Sequence, residues 1–367
     1  MTRRQIVCVA GARPNFMKVA PILRALQGHR SLAGKLVHTG QHYDGNMSDA
    51  FLRDLELPPP AVHLGVGSGS HGRQTARIME SFEEVLPDLS ADMVLVVGDV
   101  NSTIACALVA VKCGIPVGHV EAGLRSFDRT MPEEINRVLT DQISEALFVT
   151  EESGVANLRR EGVPEARIHL TGNTMIDTLV RLLPRIDAAR AWEPLGLAPG
   201  GYVVVTLHRP ANVDTPERLA RLVDLLVEIS AALPVVFPVH PRTRRNLAGF
   251  GLWDRLAVGP RVLVLDPQPY PEFLSLVKSS AGVLTDSGGI QEETTFLGVP
   301  CITQRTSTER PCTTEVGTNV LVGDDLERTR VEVRRILAGD AKRGAAPPLW
   351  DGHCAERIVA LLEERFR

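Results

Sequence analysis

Aromatic residues make up only 4% of this 367-residue chain, and neither a Cys-x-x-Cys pair nor a long apolar run occurs in it. Each scarcity excludes something. Without paired cysteines there is no zinc-knuckle or dithiol signature. Cys8, Cys106, Cys113, Cys301, Cys312 and Cys354 read as mostly buried free thiols in a reducing, cytoplasmic setting. No apolar segment is long enough to span a membrane. The opening Gln5–Ala10 strand is too short for a signal-peptide core. A formal net charge of −4 carries no basic footprint for nucleic acid. Neither G-x-G-x-x-G nor a Walker P-loop follows the first strand, which argues against dinucleotide and nucleotide-triphosphate enzymes of those types. No metal site and no cofactor is expected.

What is present is a soluble globular composition, 44% hydrophobic and 23% charged, long enough for two domains. Short β-rich runs alternate with helical patterns throughout. Strands are expected at 6–10, 36–39, 93–97, 116–120, 146–150 and 168–171, then at 202–206, 235–239, 262–265, 282–285, 300–304 and 320–322. Helices are expected at 19–27, 72–85, 104–112, 135–144, 155–161, 216–232, 270–278, 290–297 and 326–338. The pattern predicts an α/β chain of two doubly wound parallel sheets, with a break between Asp187 and Gly201.

In such sheets ligands gather beyond the strand carboxyl ends. The most telling of these ends is Leu284-Thr-Asp-Ser-Gly-Gly-Ile-Gln-Glu-Glu293. Two glycines there open a helix whose free N–H groups favour an anion. Glu292 and Glu293, one turn on, could accept from ribose hydroxyls. Ser287 could equally be a plain N-cap. After the first strand, Arg13 and Lys18 are placed to meet a pyrophosphate. Asp99, Glu121 and Glu133 follow strands or open helices. Asp99 could simply cap a helix and Glu133 could simply serve the helix dipole, but three carboxylates converging on one site could do acid–base work. His208 follows the first strand of the second series.

Several motifs in order carry a resemblance: Gly11-Ala-Arg-Pro, Val97-Gly-Asp, Gly118-His-Val-Glu-Ala-Gly-Leu-Arg, Pro132-Glu-Glu-Ile-Asn-Arg, Leu170-Thr-Gly-Asn-Thr-Met-Ile-Asp, Leu265-Asp-Pro-Gln-Pro-Tyr, Thr285-Asp-Ser-Gly-Gly-Ile-Gln-Glu-Glu and Thr308-Glu-Arg-Pro. The chain resembles the UDP-N-acetylglucosamine 2-epimerase family. The resemblance implies a glycosyltransferase-B-like fold of two Rossmann-like domains with the active site in the interdomain cleft. It assigns residues 1–172 and a returning C-terminal helix (353–367) to one domain and 173–352 to the other. It implies a homodimer. It also implies interconversion of UDP-GlcNAc and UDP-ManNAc by elimination of UDP to a 2-acetamidoglucal and re-addition. Asp99, Glu121, Glu133 and His208 match the family's catalytic positions. Arg13, Lys18, Gln268, Phe273, Ser287, Gly288, Gly289, Glu293 and Arg310 match its UDP-binding positions. Gln41, His42, Arg73, Gln74, Arg209 and His240 match or lie near positions that hold a second, activating UDP-GlcNAc in some bacterial members.

The chain departs from many members in reading Gly11-Ala-Arg-Pro-Asn15 and His208-Arg-Pro-Ala211. Val37–Ser48 and Gly67–Thr75 resemble a relative acting on UDP-2,3-diacetamido-2,3-dideoxyglucuronic acid. A hydrolysing 2-epimerase, and from another class a glycosyltransferase, are the alternatives.

Overall fold

The computed structural model describes residues 3–41 and 55–367. The chain forms two compact units, one of residues 1–181 and 348–367, the other of residues 182–347.

In the first unit the elements are β1 (Arg4–Ala10), α1 (Arg13–Leu26), β2 (Leu32–His38), β3 (Val62–His63), α2 (His71–Leu89), β4 (Met93–Val97), α3 (Asn101–Lys112), β5 (Val117–Ala122), α4 (Pro132–Ile143), β6 (Ala146–Val149), α5 (Glu152–Arg160), β7 (Ile168–Leu170) and α6 (Thr174–Ala189), whose last turns belong to the second unit. The seven strands pair in the order β3-β2-β1-β4-β5-β6-β7, parallel at every pairing. Strands covered on both faces need no polar side, which is why Met93-Val-Leu-Val-Val97 is buried throughout. Val7, Val9, Val94 and Val96 meet Ile78, Phe82 and Leu86 of α2 and the small Ala105–Ala107 face of α3.

In the second unit follow β8 (Val203–Thr206), α7 (Pro210–Val213), α8 (Pro216–Ala232), β9 (Val235–Pro238), α9 (Pro241–Gly249), α10 (Trp253–Ala257), β10 (Val262–Leu265), α11 (Tyr270–Lys278), β11 (Gly282–Thr285), α12 (Gly288–Leu297), β12 (Cys301–Thr303), α13 (Cys312–Glu315), β13 (Asn319–Leu321) and α14 (Leu326–Leu337). The six strands are ordered β10-β9-β8-β11-β12-β13, again all parallel. Both sheets therefore reverse their winding once: at β1/β4 in the first unit and at β8/β11 in the second. Helices on either side of such a switch point diverge and leave a crevice at the strand carboxyl ends.

The chain returns to the first unit for α15 (Cys354–Arg365). Trp350 is buried and its indole N–H donates to the Thr150 carbonyl at 3.0 Å. Asp177 of α6 accepts from the backbone N–H groups of Cys354 (3.1 Å) and Ala355 (2.7 Å), capping α15 from another helix. Among the described residues no helix is long and apolar enough to cross a membrane.

Local differences from the sequence expectation have clear causes. α1 begins at Arg13, six residues before the apolar period expected to open it, because Pro14 suits the first turn and the Asn15 carboxamide accepts from the Gly11 and Ala12 N–H groups. β3 is two residues long, too short to show any alternation. α6 contains Pro184 and was masked by the linker-like composition after it.

Candidate functional site

The first switch point lies where β1 runs into α1 and β4 into Gly98-Asp99. Lys18, buried on α1, forms an ion pair with Glu121 at the end of β5. Glu121 sits at a register shift between Val120 and Ala122, with φ of 72°. That left-handed conformation is costly for a side chain with a Cβ, and such residues persist where the surroundings over-determine them. Gly98 also has a positive φ, 67°. A Cβ on it would stand 3.1 Å from Lys18 Nζ, 3.2 Å from Glu121 Oε2 and 3.4 Å from Asn15 Nδ2. Glycine is thus favoured twice over, by its conformation and by the close approach of the ion pair. Asn15 Nδ2 in turn donates to the Val97 carbonyl at 3.1 Å.

Asp99 does not cap α3; Val100 occupies that position. Instead Arg137 of α4 donates to Asp99 Oδ2 from Nε (3.0 Å) and Nη2 (2.6 Å), and Asn136 donates to the Asp99 carbonyl (2.8 Å). The remaining Arg137 nitrogen, Nη1, meets Glu134 at 2.7 Å. Burial would raise the Glu134 carboxyl. The N–H of Ser126 and the Arg137 guanidinium outweigh it and hold the group below the usual range. Glu133, half-buried in the first turn of α4, makes no hydrogen bond or ion pair among the described residues. Of the three expected carboxylates, Asp99 and Glu121 each have a basic partner, Arg137 and Lys18. Glu133 is the candidate with no such engagement.

Arg13 is exposed at the start of α1. Nearby, Gln41 and Gln74 are buried rather than solvent-facing. Gln41 Oε1 accepts from Ser102 N (3.1 Å) and Oγ (2.7 Å). Gln74 Nε2 donates to the carbonyls of Gln41 (3.1 Å) and Gly67 (2.8 Å), while its Oε1 accepts from Asn101 (2.8 Å). Arg73 is exposed on α2. His42 lies outside the described residues.

At the second switch point, β8 and β11 pair with Thr206 opposite Thr285, so the residues that follow are neighbours. His208 Nδ1 lies 2.9 Å from Asp286 Oδ1. Asp286 is wholly buried and also accepts from the N–H groups of His208 and Arg209 and from Asn212 Nδ2. Burial would raise its carboxyl, but His208, the Arg209 N–H and Asn212 together hold it below the usual range. A carboxylate on Nδ1 fixes the ring's orientation and tautomer and leaves Nε2 for the site; the His208 side chain is 38% exposed. Sequence reasoning missed Asp286. It stood in the quoted Thr-Asp-Ser-Gly-Gly motif, and only the strand order sets it beside His208. His240 lies 5.4 Å from His208 between ring centroids and is held below its ordinary value by burial and by His208. Arg209 borders the same carboxylate through its N–H.

Ser287 is the residue preceding α12, but its hydroxyl makes no capping bond. A Cβ on Gly288 would lie 2.9 Å from Glu309 Oε1 and 3.1 Å from Arg310 Nη1, whereas one on Gly289 would meet nothing within 4 Å. The helix N-terminus is therefore packed on one side by charged groups and open on the other. Those groups form a buried chain: Arg305 to Glu309 (2.7 Å), Glu309 to Arg310 (2.6 Å) and Arg310 to Glu292 (2.7 Å). Glu292 is thus engaged in this network. Glu293 accepts from the Tyr270 hydroxyl at 2.9 Å, which ties α12 to the start of α11, where Gln268 and Phe273 are half-buried. Gly98–Asp99, Glu121 and Glu133 belong to the first unit; His208, Gln268, Phe273, Ser287–Gly289, Glu293 and Arg310 belong to the second.

Known proteins share this plan. A protein from Methanocaldococcus jannaschii called UDP-N-acetylglucosamine 2-epimerase is 44% identical over 96% of this chain and 97% of its own. A UDP-2,3-diacetamido-2,3-dideoxy-D-glucuronate 2-epimerase from Pseudomonas aeruginosa is 43% identical over 98% and 99%. The crystal structure of the Methanocaldococcus jannaschii UDP-GlcNAc 2-epimerase in complex with UDP-GlcNAc and UDP superposes with a TM-score of 0.90, covering 98% of this chain and 99% of that one at 44% identity. A lipopolysaccharide outer core galactosyltransferase, 13% identical over 98% and 99%, shares the glycosyltransferase-B-like fold alone, with a TM-score of 0.58. The sequence profile described as UDP-N-acetylglucosamine 2-epimerase matches residues 24–363. With its two doubly wound sheets and the order of its motifs, the chain belongs to the UDP-N-acetylglucosamine 2-epimerase family, a family of nucleotide-sugar isomerases.

Proposed function

We propose that the protein inverts C2 of a UDP-2-acetamido sugar, taking UDP-GlcNAc to UDP-ManNAc and back. The observation that carries this is the division of chemistry between two switch points. One holds carboxylates and a lysine. The other holds a histidine–aspartate pair beside an open helix N-terminus flanked by buried arginines.

A C2–H bond is only weakly acidic, so its removal is coupled to departure of UDP from C1. Asp99, Glu121 and Glu133 are the acid–base groups of that elimination and of the reverse addition. Lys18 and Arg13 offer positive charge as the pyrophosphate develops. In the second unit the Ser287–Gly289 turn supplies N–H donors to the diphosphate. Arg310 sets the charge around it, and Gln268, Phe273 and Glu293 contact the nucleoside. His208, oriented by Asp286, meets the sugar diphosphate through Nε2. The Methanocaldococcus jannaschii relative, solved in complex with UDP-GlcNAc and UDP, supports a UDP-sugar substrate. Gln41, His42, Arg73, Gln74, Arg209 and His240 are proposed for a second, regulatory nucleotide.

A second reading is UDP-2,3-diacetamido-2,3-dideoxyglucuronate as the sugar, favoured by the 43% identical Pseudomonas aeruginosa relative. Incubation of the purified protein with each sugar in D2O, without added nicotinamide or metal, tests both. Inversion with one deuterium at C2 is expected. Release of free sugar would mark the hydrolysing reaction, and absence of exchange with every UDP-acetamido sugar would refute the proposal.

A further inference from the structure

Directly beneath the acid–base turn lies a buried charge cluster that the reaction as proposed does not use. The side chains of His119 on β5 and Asp141 on α4 are both 0% exposed. His119 Nδ1 is 2.6 Å from Asp141 Oδ1, and its Nε2 is 2.8 Å from the Gly98 carbonyl oxygen. Asp141 Oδ2 accepts from Gly123 N at 3.1 Å and pairs with Arg125 at 2.7 Å. Arg125 also donates from Nε and Nη2 to the two oxygens of Glu161, at 2.8 and 2.7 Å.

A carbonyl oxygen can only accept, so His119 Nε2 donates to the Gly98 carbonyl. Asp141 and Glu161 share the Arg125 guanidinium, and a paired, hydrogen-bonded charge is the kind that survives burial. Burial acts against the charged Asp141, but His119 and Arg125 hold its carboxyl below the usual range.

The consequence of this arrangement is positional. Asp141 grips the chain two residues before Glu121, through His119, and two residues after it, through Gly123. Through His119 it also grips the Gly98 carbonyl, next to Asp99 and beneath the Lys18–Glu121 pair. We propose that Asp141, with His119 and Arg125, is a positioning group for the reaction: it clamps both flanks of the strained Glu121 and fixes the Gly98–Asp99 turn. The inference rests on Glu121 and Asp99 being acid–base residues. His119 and Asp141 touch no substrate. They act by making the left-handed Glu121 conformation the only one available, because a misplacement near 1 Å at reacting groups costs about 100-fold in rate.

The test is Asp141→Asn, which keeps the side chain's shape but removes its charge. The turnover number for C2 exchange should fall about 100-fold, while UDP affinity by titration calorimetry stays within threefold of wild type. His119→Gln, which keeps a donor nitrogen but loses the rigid ring that bridges Asp141 and the Gly98 carbonyl, should show the same split, and it serves if Asp141→Asn fails to fold. Independently, hydrogen exchange at the Gly123 amide, which donates to Asp141, should be faster in Asp141→Ala than in wild type, while the amides of β8 and β11 are unchanged. Wild-type turnover in either folded variant, or unchanged Gly123 exchange in Asp141→Ala, overturns the clamp. If wild type exchanges no C2 hydrogen at all, the functional reading fails instead, and the Gly123 exchange still decides the clamp.

Discussion

Gly98→Ala is the perturbation that most sharply separates chemistry from folding. Gly98 has φ of 67°, where alanine costs about 1–2 kcal/mol. Its new methyl would lie 3.1 to 3.4 Å from Lys18 Nζ, Glu121 Oε2 and Asn15 Nδ2. These are tight contacts, but all three are ends of side chains that can retreat by a few tenths of an ångström. Folding should therefore lose about 2–3 kcal/mol in all, from backbone strain and modest overpacking. The rate should suffer more, since the displaced atoms are the ion pair itself; about 100-fold is expected for a shift toward 1 Å. Gly114→Ala is the matched control. Gly114 has φ of 75°, and a Cβ there meets nothing within 4 Å. It should lose the same 1–2 kcal/mol of strain and keep its rate. Urea unfolding of both variants, paired with deuterium incorporation at C2, measures the two quantities separately. If Gly98→Ala turned over as fast as Gly114→Ala, the Lys18–Glu121 pair would have no part in the chemistry.

Three further outcomes are expected. His208→Ala should lose about 100-fold in turnover, the scale of a positioned acid–base group, with little change in melting temperature, and Asp286→Asn should reproduce most of that loss; a folded His208→Ala protein of near wild-type rate would make the residue a bystander. Glu133→Gln should abolish C2 exchange and spare UDP affinity, whereas Arg310→Lys should weaken UDP binding at least about tenfold through loss of the planar guanidinium; calorimetric titration with UDP that ranked them the other way round would refute the division of labour between the units. Asp177, raised to about 6 mainly by burial, holds its proton more tightly folded than unfolded. Its contribution to stability is therefore full below pH 4, fades through pH 6, and totals about 3 kcal/mol at most. Wild type should gain stability relative to Asp177→Asn on acidification from pH 7.5 to 4.5. A pH-independent difference in urea midpoints would show that the carboxyl titrates normally.

Much of the fold is legible in the sequence, because it is written in local pattern. Apolar β-branched runs such as Met93–Val97 and Tyr202–Val205 can only be strands covered on both faces. Their regular alternation with helices dictates parallel sheets. The glycines of Ser287-Gly-Gly289 and the carboxylates at strand ends mark in the sequence the positions proposed here for ligand chemistry. Sequence could not say which strands stand side by side. His208 and Asp286 are 78 residues apart and meet because β8 pairs with β11. His119 and Asp141 meet because α4 packs back on β5, and their shared grip on Glu121 depends on a bulge that no local propensity encodes, since glutamate disfavours a positive φ. Hydrophobic periodicity thus determines what each segment is. The pairing order of the strands decides which polar ends become neighbours, and only the packed interior forces a residue such as Glu121 into a conformation that its own chemistry resists.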